Sequence, residues 1–129
     1  MSVNTKKITV SSVQIQNYFS NPIELLPAPL SGYVNNILGI SERLIAGDTP
    51  FGDARVSTYY LNDAAAQQIF LGVIPMSAST SKSCYVQKND LAQGLVITDQ
   101  ALYVRGSGDN TAGNSSLEIF VTYETKELD

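Results

Sequence analysis

The chain predicts an all-β domain: a single antiparallel β-sandwich, jelly-roll-like, with eight or nine strands and one or two short helical turns. Three observations lead there. Short stretches of period-2 patterning recur along the whole length, each bounded by Gly, Pro, Asn, Asp or Ser. Nowhere do strands and helices alternate in the manner of a parallel α/β fold. Over residues 115–125, Leu117, Ile119, Val121 and Tyr123 fall on one face and Glu118, Thr122 and Glu124 on the other, which is the pattern of a half-buried strand. This last segment is expected to close a sheet built by the preceding chain.

At 129 residues the chain suits one domain, and folding at that size removes about two-thirds of the unfolded chain's surface from water. A hydrophobic share of 43% against a charged share of 16% is a globular composition rather than a disordered one. The formal net charge is −4 and the eight basic residues are scattered, so no cationic stripe follows a phosphate backbone and nucleic acid is not an expected partner. The single cysteine, Cys84, has no intrachain disulfide partner and reads as a small, partly buried apolar residue. The opening Met1-Ser2-Val3-Asn4-Thr5-Lys6-Lys7 lacks the apolar run of about seven residues that a signal peptide needs. Nothing approaches the roughly 18 residues of a membrane span, so folding in a cytoplasm, away from membranes, is expected.

Residues 1–6 are expected to form an N-terminal arm ahead of one sandwich domain over residues 7–129. Residues 7–10 alternate as a short strand, with Ile8 and Val10 on the apolar side. Ser11-Ser12, ahead of Val13-Gln14-Ile15-Gln16-Asn17-Tyr18-Phe19, supplies a serine N-cap for one or two helical turns, ended by Asn21-Pro22. Ile23-Glu24-Leu25-Leu26 is extended and gives way at Pro27 and Pro29, which fix φ and remove two ladder donors. Ser31-Gly32 turns the chain. Residues 33–46 form the longest sheet segment, with Val34, Leu38, Ile40 and Leu44 on one parity and Asn35, Ser41 and Arg43 on the other. Glu42 interrupts the apolar parity and is expected to mark a bulge that sends Ile45 inward. A strand of this length is expected to bend between two sheets.

Residues 47–53 are rich in turn formers and form an exposed connection. Residues 55–61 alternate again, Val56, Thr58 and Tyr60 opposite Arg55, Ser57 and Tyr59. Residues 62–68 permit a short helix capped by Asn62 or Asp63. Ile69-Phe70-Leu71-Gly72-Val73-Ile74, closed by Pro75, is a continuous apolar run, the pattern of a strand covered on both faces. Residues 77–83 are small and polar, a loop or a solvent-facing edge. Cys84-Tyr85-Val86 is a strand, Asn89-Asp90 a turn, residues 94–98 a strand, Asp99-Gln100 a tight turn and residues 101–105 a returning strand. The glycine-rich residues 106–114 join that strand to the terminal one as a long-looped hairpin. The strand number favours jelly-roll topology.

Catalytic chemistry finds little footing in these residues. Histidine is absent, which removes the usual general base and the commonest nitrogen ligand for zinc. Ser79-Thr80-Ser81-Lys82 matches a Ser-x-x-Lys pattern, but it lies in a serine-rich loop without the helix start and partner motifs of a serine acylase. Asp48 with Asp53, and Asp99 with Asp109 and Asn110, lack the regular spacing of a calcium loop and read as turn formers. Asn114-Ser115-Ser116 has the glycosylation pattern, yet reads as turn chemistry where no export signal is present. Gly106, Gly108 and Gly113 lead into a strand rather than a helix and make no phosphate loop. No enzyme, metal site or cofactor is expected. Tyr59, Tyr60, Tyr85 and Tyr103 raise the alternative of stacking on sugars or anchoring an interface, with about half of them placed in the core.

Two blocks carry a family resemblance. The first is Ile8-Thr9-Val10-Ser11-Ser12-Val13-Gln14-Ile15, then Asn21-Pro22-Ile23-Glu24-Leu25-Leu26-Pro27-Ala28-Pro29 and Gly32-Tyr33-Val34. The second is Gln93-Gly94-Leu95-Val96-Ile97, Ala101-Leu102-Tyr103, the loop over residues 106–114, and the final Leu117-Glu118-Ile119-Phe120-Val121-Thr122-Tyr123. Together they resemble small β-sandwich virion proteins of tailed bacteriophages, whose opening runs strand, short helix, X-P-V-x-L-V-P-A-P-G-x-G-K. Leu30-Ser31-Gly32-Tyr33 stands where that pattern has its glycine and lysine positions. The resemblance implies capsid decoration, a head-fibre base, or a place in a tail or neck, often as a symmetric oligomer; it carries over no functional residue.

The expected function is therefore a structural virion component, an auxiliary or decoration protein assembled in the host cytoplasm. Its expected partners are the major capsid protein or other virion subunits, with homo-oligomers, a trimer favoured. The candidate contact residues are Asp48, Pro50 and Phe51 in one loop, Ser79 and Lys82 in a second, and Asp109, Asn110 and Asn114 in a third. The alternative is a receptor- or glycan-binding module of a tail or head fibre, or a neck or tail adaptor subunit.

Overall fold

Alternation along the sequence becomes alternation of buried and exposed side chains in a computed structural model, which describes residues 2–61, 68–88, 96–97, 101–110 and 112–127. In chain order the elements are β1 (Ser2–Val10), α1 (Ser12–Asn17), β2 (Ile23–Leu26), β3 (Tyr33–Ile45), β4 (Ser57–Leu61), β5 (Gln68–Leu71), β6 (Lys82–Tyr85), β7 (Gln87–Lys88), β8 (Val96–Ile97), β9 (Leu102–Gly106) and β10 (Ser116–Glu127). The first sheet runs β1-β10-β3-β6, with β8 also pairing β3, and the second runs β2-β9-β4-β5-β7. Their pairings are antiparallel, so the fold is all-β and jelly-roll-like. Among the described residues no helix is long and apolar enough to cross a membrane.

Leu117, Ile119 and Val121 of β10 are fully buried, against Ile40 and Leu44 of β3 in the same sheet and Leu102 and Val104 of β9 in the other. Each such side chain contributes roughly 1.5–3 kcal/mol by leaving water. The closing segment lies inside its sheet, between β1 and β3, rather than at an edge. It forms no hairpin with β9: β9 belongs to the second sheet and β10 to the first, so residues 107–115 cross between layers. Residues 2–6, expected as an arm, run as the first part of β1, with Ser2 opposite Thr125 and Lys6 opposite Val121. Their side chains from Val3 to Lys6 are exposed, so ladder hydrogen bonds rather than burial hold this part of the strand.

Ser11 caps α1 as the sequence indicates. Its hydroxyl accepts from the Gln14 amide at 3.2 Å while the Gln14 side chain accepts from the Ser11 amide at 2.9 Å, a capping box. Ile15 and Tyr18 are buried from this segment. Gly32 takes φ 88°, where a side chain is strained, and the Tyr33 amide closes the turn onto the Leu30 carbonyl at 2.9 Å.

Three expectations about the strands are corrected. The bulge in β3 is at Leu38, where the register slips between Gly39 and Ile37, so Leu38 turns outward and Ile37 inward. All of β3 stays in the first sheet. The apolar run that begins in β5 alternates over its described side chains instead of being covered on both faces, with Phe70 and Ile74 buried and Leu71 and Val73 exposed. Tyr59 and Tyr60 lie on opposite faces as expected, in register with Val104 and Tyr103, yet Tyr60 is buried as well, because it is covered by a stack on Tyr103 with ring centroids 5.9 Å apart. All of the expected helix over residues 62–68 except Gln68, which begins β5, the turns at Asn89-Asp90 and Asp99-Gln100, and most of the strand over residues 94–98 lie outside the described residues.

Glu42 remains on the inward parity and is 1% exposed. Its carboxyl accepts a hydrogen bond from the Tyr59 hydroxyl of β4, which joins the two sheets through the core. Room for it comes from Gly72, where a Cβ would lie 2.6 Å from Oε1. The Ser57 and Tyr18 hydroxyls are also buried beside it. Burial pushes the Glu42 carboxyl above its ordinary value, and the Tyr59 and Ser57 hydroxyls draw it only partly back. Burial likewise raises the Tyr18 hydroxyl to about 12.

The sign of the resulting pH dependence follows from linkage. A carboxyl whose folded value is raised contributes stability that is complete below its unfolded value and lost as pH rises through the folded one. The melting temperature of Glu42→Gln relative to the unaltered protein is therefore expected to climb as pH rises above about 4; a flat or falling difference contradicts the assignment. Tyr59→Phe leaves the buried carboxyl without its donor and is expected to cost about 1–3 kcal/mol in denaturant unfolding.

Candidate functional site

The three loops singled out in the sequence are gathered at one end of the sandwich, because β3 ends there while β6 and β10 begin there. Leu44 sits opposite both Leu117 and Lys82, which fixes the alignment. The chain after β3 and the chain before β10 are tied reciprocally: the Thr49 amide donates to Asn114 Oδ1 at 2.8 Å, and the Asn114 amide donates to the Thr49 carbonyl at 2.8 Å. The Gly47 amide donates to Ser115 Oγ at 3.2 Å. The loop before β6 joins through the Ala46 amide, which donates to Ser81 Oγ at 3.1 Å.

The α1 segment closes the side of this end. Asp109 Oδ1 accepts from the amides of Phe19 and Ser20, each at 3.1 Å, and the Ser20 hydroxyl donates to its other oxygen. The Ser20 hydroxyl and amide are the main reason the Asp109 carboxyl is held below its ordinary value, with the Phe19 amide and Arg105 adding to it. Asn110 Nδ2 donates to the Ile15 carbonyl at 3.0 Å. Arg105 donates from Nη2 to the Phe19 carbonyl at 2.7 Å and lies over the Phe19 ring, 4.3 Å from its centroid.

These contacts divide the expected contact residues. Phe51 is 2% exposed, a core side chain that anchors its loop, and Gly113 packs so closely that a Cβ there would lie 2.8 Å from its ring. Asn110 is buried, and Asp109 and Asn114 are exposed residues committed to holding neighbouring loops. Asp48, Pro50, Ser79 and Lys82 are exposed and carry the outward surface of this end. Among the described residues no group of three or more His, Cys, Asp or Glu could hold a metal ion.

A second surface was not singled out from the sequence. On the outer face of the first sheet, Tyr85 is 86% exposed and Leu38 51% exposed, and Phe120 lies between β1 and β3 in a shallow groove with them. The available signal was Phe120 itself, an aromatic residue at an outward position of β10 between Glu118 and Thr122. The tyrosine platform is not assembled: Tyr59 and Tyr60 are buried and Tyr103 stacks on Tyr60, which leaves Tyr85 alone of the four fully outward.

Phe51→Ala is expected to destabilise the fold by about 3–5 kcal/mol in denaturant unfolding, as for other emptied core sites; a change near zero contradicts its anchoring role. Asp109→Ala is expected to raise the hydrogen-exchange rates of the Phe19 and Ser20 amides while leaving those of β10 unchanged.

No family model matches this sequence, and no curated protein matches it. In the solved structures the fold is similar to a chain of the capsid asymmetric unit of cyanophage Pam1, with a TM-score of 0.52 at 16% identity, over 99% of this chain and 84% of that one.

Proposed function

We propose that this protein is a structural component of a tailed-bacteriophage particle, an auxiliary or decoration subunit held on the capsid by protein contacts at its loop-bearing end. The observation that carries the proposal is the similarity of nearly the whole chain to one from a cyanophage capsid asymmetric unit. The geometry agrees with adhesion rather than turnover. The loops at that end are braced against each other and against α1, so they present Asp48, Pro50, Ser79 and Lys82 on a fixed base with little conformational entropy left to lose on docking. In this reading the subunit is a symmetric homo-oligomer, a trimer, whose individually weak contacts are multiplied by copy number.

Quantitative mass spectrometry of purified particles tests the proposal. The protein is expected in intact particles at a fixed ratio to the major capsid protein; finding it only free in the lysate overturns the proposal. Asp48→Lys combined with Lys82→Glu is expected to lower retention on particles about tenfold without moving the melting temperature, since both charges lie outside the core.

A further inference from the structure

We propose that the outer face of the first sheet is a second docking surface, which takes an extended segment of another virion protein bearing an aliphatic side chain with a carboxylate beside it. This rests on the reading of the protein as a virion subunit. The surface is built by register. Lys7, Phe120, Ser41 and Tyr85 lie side by side across β1, β10, β3 and β6. Because Phe120 and Tyr85 stand two strand spacings apart, about 10 Å, with only the short Ser41 between them, a trough runs along β3 between two aromatic walls. The floor continues through Gly39, where a Cβ would meet nothing within 4 Å. The bulge then turns Leu38 outward to close the trough at that end.

The other end of the trough is charged, and this sets the partner's chemistry. Lys7 Nζ is 2.7 Å from Glu118 and Arg43 is 3.7 Å from the same carboxylate. Both cations are about half exposed while Glu118 is largely covered, so two positive charges share one negative and the rim keeps a positive surplus on a chain of net charge −4. Two copies meeting through this face about a twofold axis would set the Lys7 and Arg43 rim either against itself or against the apolar Leu38 end of the other copy, and neither arrangement supplies it with a carboxylate. A different protein whose aliphatic side chain fills the slot between Phe120 and Tyr85, with an Asp or Glu next to it facing Arg43, satisfies both the apolar walls and the charge.

The test uses particles assembled with the photo-crosslinkable residue p-benzoylphenylalanine in place of Tyr85, or separately in place of Pro50, with the crosslinked segments read by mass spectrometry. The position-85 adduct is expected on a stretch of another virion protein in which an aliphatic residue lies within about two positions of Asp or Glu, the reach of neighbouring side chains on a strand. Arg43→Glu is expected to cut its yield about tenfold while the circular-dichroism spectrum is unchanged. Crosslinking from position 50 with none from position 85 overturns this inference and leaves the virion reading standing. An adduct at 85 only with another copy of this chain, or with a neutral or basic stretch, also overturns it. Absence of adducts from both positions overturns both.

Discussion

A carboxyl group enclosed between two sheets is the constraint around which this sandwich is arranged. Glu42 extends from β3 to the Tyr59 hydroxyl of β4, and among the described residues no ion pair is formed by it. A carboxyl in that position is tolerated when it is hydrogen-bonded and when its surroundings favour the protonated form over the charged one. The surroundings are shaped to those two requirements. Gly72 has no side chain where one would strike the carboxyl, and its amide donates to the Ser57 carbonyl at 2.8 Å, which holds that stretch of chain against β4. Tyr18 closes over the group from the end of α1, where Gly106 gives way to its ring.

This polar centre underlies the loop-bearing end. Tyr18 belongs to the same turn as Phe19 and Ser20, whose amides Asp109 holds, and its own carbonyl accepts from the Gly106 amide at 3.4 Å. The end that presents Asp48, Pro50, Ser79 and Lys82 is thus fastened to the interior through short chains of named contacts and does not rest on flexible connections. Of the ionisable groups of that end, Asp109 and Arg105 hold the loops to the α1 segment, while Asp48 and Lys82 face outward.

What could be read from the sequence was what local physics decides. The cap at Ser11, the stop at Pro27 and Pro29, the turn at Gly32 and the inward row Leu117, Ile119 and Val121 each depend on a few neighbouring residues, and each stands as expected. Glu42 shows where that reasoning ends. A polar residue on an apolar parity fits either a bulge or a buried partner from another strand, and only Tyr59, distant in sequence, decides between them. The β9–β10 connection is similar, since a nine-residue glycine-rich loop spans a hairpin or crosses between sheets equally well. Phe51 was read as surface because its neighbours are turn formers, yet one aromatic side chain suffices to pin such a loop to the core.

The central physical claim is that Glu42 is a buried, hydrogen-bonded bridge between the layers whose carboxyl holds its proton more tightly than an ordinary glutamate does. Carbon-13 NMR of the Glu42 side-chain carboxyl, followed through a pH titration of the folded protein, tests it most directly. The account predicts that this resonance titrates above the ordinary glutamate range. A Glu42 carboxyl that titrates together with exposed glutamates, or below them, contradicts it.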